Sequence, residues 1–165
     1  MEQYQRIGLI TADTLLAIFG PHFHKLEQSI LAFMRNQVTG YEFGAFELRK
    51  YANGAYALVL ESDDPAKVRG SFEDHPMTLE GASLLANITV YSAILEDLHL
   101  RGNDDEALLF QQQHYALRDA VRGKSTFVYD PEAPDLQREP TPEEAAAMKQ
   151  GGPHKDHLEI CRYLD

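Results

Sequence analysis

The chain has 165 residues, 44% of them hydrophobic and 25% charged, with a formal net charge of −11. That length sustains one core and predicts one domain. The acidic excess, with no strongly basic stretch, lacks the electrostatic footprint of a nucleic-acid binder. The single cysteine, Cys161, excludes an internal disulfide framework and fits a reducing compartment.

The first residues carry no basic region followed by an apolar core, so no signal peptide is expected. The longest mostly apolar stretch, residues 81–95, is shorter than the ~20 residues a membrane span needs and contains Asn87, Thr89 and Ser92. A cytoplasmic protein without membrane association is expected.

Apolar spacing predicts a helix over residues 10–19, with Leu15, Leu16, Ile18 and Phe19, stopped by Gly20-Pro21. A second helix is predicted over 22–36, with Phe23, Leu26, Ile30, Phe33 and Met34 near helical spacing. Residues 43–60 read as a β-hairpin. Phe46, Leu48 and Lys50 alternate with Glu47, Arg49 and Tyr51, and Asn53-Gly54 is the strongest short-range hairpin signal. Ser62 to Pro65 reads as a turn, and a short strand near 67–73 would extend the sheet.

The longest helix is predicted to start after Thr78, a good N-cap, with Glu80 in its first turn. Leu84, Leu85, Ile88, Tyr91, Leu95 and Leu98 form a wide apolar stripe, and Val90, Ala93 and Ile94 fill other sides. A helix so apolar belongs at the centre of the fold. Gly102 ends it, and Asn103 opens the next helix, whose Asp104, Asp105 and Glu106 complement the positive end. Ala107, Phe110, His114, Leu117 and Val121 continue that helix to Gly123.

Residues 124–153 change character, with five prolines and the Gly151-Gly152 pair. They read as a surface excursion holding one short helix, Thr141 to Lys149, while Phe127, Val128 and Tyr129 suggest a strand or an anchor on the main body. The last segment, about 154–164, returns to helix. The fold class is therefore α+β, a compact single domain over residues 1–165 with several helices around a small antiparallel sheet containing the 43–60 hairpin.

Charge is unevenly spread. Residues 61–106 carry eleven acids against three bases, and residues 130–144 carry six acids against Arg138. Solvated faces and helix N-termini account for such runs, and imitation of DNA is the functional alternative. No Walker loop, GxGxxG, GxSxG or HExxH is present. His154, His157 and Cys161, at i, i+3 and i+7, would share one face of a helix, a spacing that can hold zinc, but a fourth ligand is missing. The same residues define a rival reading, a small metal- or thiol-dependent enzyme with His157 as base for Cys161.

Five ordered blocks resemble the ArdB/KlcA antirestriction family of plasmids and genomic islands. They are Phe19-Gly-Pro-His-Phe23 with Leu26-Glu27, Gly44-x-Phe46-x-Leu48 leading to Asn53-Gly-Ala-Tyr56, Met77-Thr-Leu-Glu-Gly-Ala82, His114-Tyr-Ala-Leu-Arg-Asp119, and Ile160-Cys-Arg-Tyr-Leu-Asp165. The chain departs from the family pattern at Phe46, where Trp is usual, at Ala55, where Gly is usual, and by about thirty extra residues at 124–153. The resemblance implies a compact α+β fold and inhibition of type I restriction systems in the cell, helping incoming mobile DNA establish. It implies no catalytic activity and no cofactor, and the missing fourth ligand predicts no metal. The implied partner is the type I restriction–modification machinery or a host factor, reached directly or indirectly, with no direct nucleic-acid binding. Arg118, Asp119 and Asp165 are the candidate interaction residues, and a tie from Arg118 to Asp165 is the contact that their position suggests.

Overall fold

The computed structural model describes residues 3–8 and 10–165. The elements run β1 (Tyr4–Ile7), α1 (Ala12–Phe19), α2 (Phe23–Gln37), β2 (Val38–Thr39), β3 (Glu47–Tyr51), β4 (Tyr56–Val59), β5 (Pro65–Arg69), β6 (Asp74–Thr78), α3 (Leu79–Leu100), α4 (Asp104–Arg122), β7 (Val128–Tyr129), β8 (Gln137–Arg138), α5 (Pro142–Lys149) and α6 (His157–Leu164). The α+β class expected from the pattern is the one observed. The single sheet is not. All pairing is antiparallel, but it is divided among a β1-β3-β4 sheet, a β2-β5-β6 sheet and a β7-β8 pair. The stretch read as one strand near 67–73 is the end of β5 and the turn of a second hairpin, paired from Pro65↔Thr78 to Arg69↔Asp74, in the second sheet.

α3 is the axis of the fold. Thr78 caps it, its hydroxyl accepting from the Gly81 N–H at 3.0 Å. Every residue from 81 to 88 is buried, because α2, α4 and the β3-β4 hairpin close on it together. Ala93 is the exception to the expected burial and faces solvent. Phe19, Tyr91 and Phe110 meet around α3, with ring centroids 6.2 Å apart in each contact with Tyr91.

The free edge of β4 lies against these helices, and helical side chains complete it. Asn87 accepts from the Leu58 N–H at 2.9 Å and donates to the Leu58 carbonyl at 2.7 Å. Gln113 accepts from the Tyr56 N–H, Ser83 from the Leu60 N–H, and the Tyr91 hydroxyl donates to the Tyr56 carbonyl. Buried backbone groups need partners, and here an edge strand finds them without a neighbouring strand. Asn87, Ser83 and Gln113 are therefore buried polar residues with a structural task.

The hairpin turn is wider than a two-residue Asn-Gly turn. The Gly54 N–H donates to the Tyr51 carbonyl, so Ala52 and Asn53 form the corner, and Gly54 follows in the left-handed region at φ 85°. That is a turn followed by a glycine bulge. The displacement frees Asn53 for tertiary work. Its amide donates to the Ala116 carbonyl at 2.7 Å and to the Ser125 hydroxyl at 3.0 Å, and its own carbonyl accepts from the Tyr129 N–H at 2.7 Å. A β-carbon at Gly54 would lie 2.3 Å from the Tyr129 oxygen, so this glycine also permits close backbone approach.

The 124–153 segment divides accordingly. Its anchor sinks into the body, with Val128, Tyr129 and Met148 buried. Between these points it runs over the surface, held by its own contacts: Arg138 donates to Asp130 at 2.9 Å and to both oxygens of Glu144 at 2.7 and 2.9 Å. Thr141 and Glu144 form a capping box at the start of α5.

Candidate interaction site

The expected interaction residues lie where α4 meets the end of α6. Arg118 Nη2 is 3.2 Å from Asp165 Oδ1, with the arginine partly covered and the aspartate open to solvent. Asp119 points elsewhere. Its carboxyl is half-buried and is pushed above the usual range by burial, against the pull of Arg122 and Arg118. Arg118 and Asp165 are thus brought together and Asp119 is not, as the 100° turn between adjacent helical residues dictates. An exposed pair of this kind contributes up to about 1 kcal/mol, so it orients the end of α6 more than it stabilises the fold.

His154, His157 and Cys161 do not share a helical face, because α6 begins only at His157 and His154 lies in the approach to it. His154 is buried and both ring nitrogens are engaged. Nδ1 is 3.0 Å from the Asp156 N–H, which makes it an acceptor and assigns the proton to Nε2, 3.0 Å from Glu80 Oε1. His157 Nδ1 is 2.7 Å from the His154 carbonyl. Cys161 is half-buried with its thiol free. Among the described residues no group of three or more His, Cys, Asp or Glu side chains is placed to hold a metal ion.

His154 belongs instead to a buried ionic network that residue spacing alone did not reveal. Its centre is Arg49, only 1% exposed. Arg49 Nε is 2.5 Å from Glu47 Oε1, Nη2 is 3.4 Å from Glu80 Oε2, and the guanidinium carbon stands 4.1 Å from the centre of the Tyr4 ring. Arg6 joins Glu47 from the surface at 2.8 Å. Burial opposes the charge on Arg49, but Tyr51, Glu47 and Glu80 outweigh it and hold the guanidinium firmly protonated. The hydrogen bond from His154 holds the Glu80 carboxyl below its usual range, with Arg49 adding to this and burial working against it. Burial pushes the Tyr51 phenol up, although Arg49 pulls the other way.

Two residues beyond His154, Asp156 Oδ2 accepts from the Thr78 N–H at 3.1 Å and from its hydroxyl at 2.6 Å. A β-carbon at Gly81 would lie 2.3 Å from that same oxygen, so only glycine leaves Asp156 room at the start of α3. The network therefore fastens the approach to α6 onto the N-terminus of α3 and the β3 strand. Every member has a partner within the protein, which is the arrangement of a structural clasp. The alternation of Arg49 with Leu48 pointed Arg49 to one face of β3, but not to a face that residues 153–157 would cover.

No family model matches the chain, and no curated protein matches it. No helix among the described residues is long and apolar enough to cross a membrane. Among solved structures, the chain is similar to one described as that of the KlcA and ArdB proteins, which "show a novel fold and antirestriction activity against Type I DNA restriction systems in vivo but not in vitro". The likeness covers 90% of this chain and 96% of that one, at a TM-score of 0.59 and 16% sequence identity. At that identity it is the fold that the two share.

Proposed function

We propose that this protein is an antirestriction protein of the ArdB/KlcA kind, relieving type I DNA restriction in the cell and so helping incoming mobile DNA establish. The observation that carries the reading is the agreement of a fold likeness over nearly the whole of both chains with five ordered sequence blocks. The blocks fall on residues with tertiary tasks: Phe19 in the core, Asn53 and Gly54 at the hairpin, Thr78 and Gly81 at the start of α3, and Arg118 and Asp165 at the end of α6. Fold alone does not assign function, so the blocks matter as much as the likeness.

The mode of action that fits is contact with a protein, without catalysis or a cofactor. The two candidate histidines are spent on structure, with His154 bonded on both nitrogens and His157 turned to a carbonyl. The net charge of −11 opposes direct binding to DNA. The solved relative's activity in vivo but not in vitro favours a route through a host factor over simple blockade of the restriction enzyme. Its test is the plating of unmodified phage. Expression should raise plating on a host with a type I restriction system and leave a non-restricting host unchanged. Equal plating on the restricting host, with folded protein confirmed in the same cells, would reject the reading.

A further inference from the structure

Phe72 sits at the tip of the β5-β6 loop with its side chain fully exposed. The Gly70 N–H donates to the Glu73 carbonyl at 3.0 Å, so Ser71 and Phe72 alone form the tip. Turn tips favour small and polar residues, and nothing in the turn geometry calls for a phenyl ring. Beside the ring, a groove of about 310 Å³ runs between this loop and the end of α6, lined by Phe72, His75, Tyr163 and Leu164 among others.

The groove's polar side chains are Ser71, Glu73, His75, Arg162, Tyr163 and Asp165, two of them carboxylates. His75 is buried in its wall, with Nδ1 3.2 Å from Glu159 Oε2. A carboxylate only accepts, so Nδ1 carries a proton. Nε2 is packed against Gly70, where an added β-carbon would lie 2.7 Å from it. Of the two carboxylates, that of Asp165 is largely open to solvent despite its tie to Arg118. The cation on the lining, Arg162, is already paired with Glu159 at 3.0 Å. An apolar anchor next to two solvent-facing carboxylates is complementary to a cationic side chain that has an apolar neighbour.

We propose that the Phe72 loop and its groove form a docking surface for a protein partner, taking a segment that presents arginine or lysine beside an apolar residue. The proposal deepens the reading above by naming the face through which the protein acts, and it rests on that reading for its cellular consequence. The acidic chain would steer such a segment inward, and Phe72 would supply the contact that excludes water.

Two measurements test it. In the first, a synthetic peptide alternating arginine and leucine is titrated into isotope-labelled protein and followed by amide chemical shifts, with a glutamate–leucine peptide as control. Shifts should concentrate at residues 70–75 and 159–165, weaken with added salt, vanish in Phe72→Ser and persist in Phe43→Ser, another strongly exposed phenylalanine. In the second, Phe72→Ser and Glu73→Lys should each cut phage-plating relief about tenfold or more while the thermal midpoint stays unchanged, and Phe43→Ser should keep full relief. Shifts that are absent, spread over the surface, or indifferent to Phe72→Ser would overturn the proposal. So would a Phe72-dependent dimer in sedimentation, which would assign the groove to a second copy of the chain. If the unaltered protein gives no plating relief, the antirestriction reading fails, and the titration alone still decides the groove.

Discussion

Arg49 and Arg138 each hold two carboxylates, Glu47 and Glu80 in one case and Asp130 and Glu144 in the other. The chemistry is the same, yet the side chains are 1% and 38% exposed. Arg49 lies inside the body, where losing its charge would strand half-buried carboxylates away from water. Arg138 lies on the surface excursion, where water can replace either partner. Identical ion pairs thus do different things: the buried one fastens three segments into one arrangement, and the exposed one shapes a loop.

The sharpest way to break this contrast is Arg49→Met. Removing one partner of a buried pair costs about 3–5 kcal/mol, and the low end applies here because Arg6 and His154 still serve Glu47 and Glu80. Chemical denaturation should show that loss, and a change below about 1 kcal/mol would mean that the clasp contributes little. Gly54→Val tests the seam where the body meets the excursion. With φ at 85° and the Tyr129 oxygen in the way, it should cost about 1–3 kcal/mol, read from the thermal midpoint.

Acid unfolding separates the two networks further. Glu80 has its pKa lowered in the folded state, so its contribution is fully present above the unfolded value and is lost as pH falls through the folded one. Glu80→Gln cannot titrate and should flatten the stability curve on that acid limb. Glu144, held at about 2 by Arg138 and then by the Thr141 N–H, follows the same sign, but it sits where solvent screens it. A Glu144→Gln variant whose acid limb flattens as much as that of Glu80→Gln would erase the contrast.

Replacing residues 131–152 with a short Gly/Ser linker should leave cooperative unfolding, because Tyr129 and His154 remain and loop closure changes by only ~1 kcal/mol. Loss of cooperativity would place the excursion, through Met148, in the core. The smallest effect is expected for Arg138→Ala, whose thermal midpoint should match the parent within error.

Much of the chain was legible as local code. The bounds of α2 and α4, the Thr78 and Thr141 caps, the breaks at Gly20 and Gly123, and the positive φ at Gly54 all follow from residue spacing and backbone sterics, which act over a few positions. The wide apolar stripe of α3 already required a helix covered on several sides. The division into two three-stranded sheets was not legible, since the residues of β5 and β6 state that they are strands and not which edge they join. Nor were the tasks of Asn87, Asn53, Arg49 and His154. Each satisfies a group 29 to 74 positions distant along the chain, and a buried polar residue acquires its partner only when packing removes water from both. Spacing placed His154 on a helix with Cys161; the tertiary structure turned it to Glu80, a half-buried carboxylate beside Arg49 that it supplies with a donor.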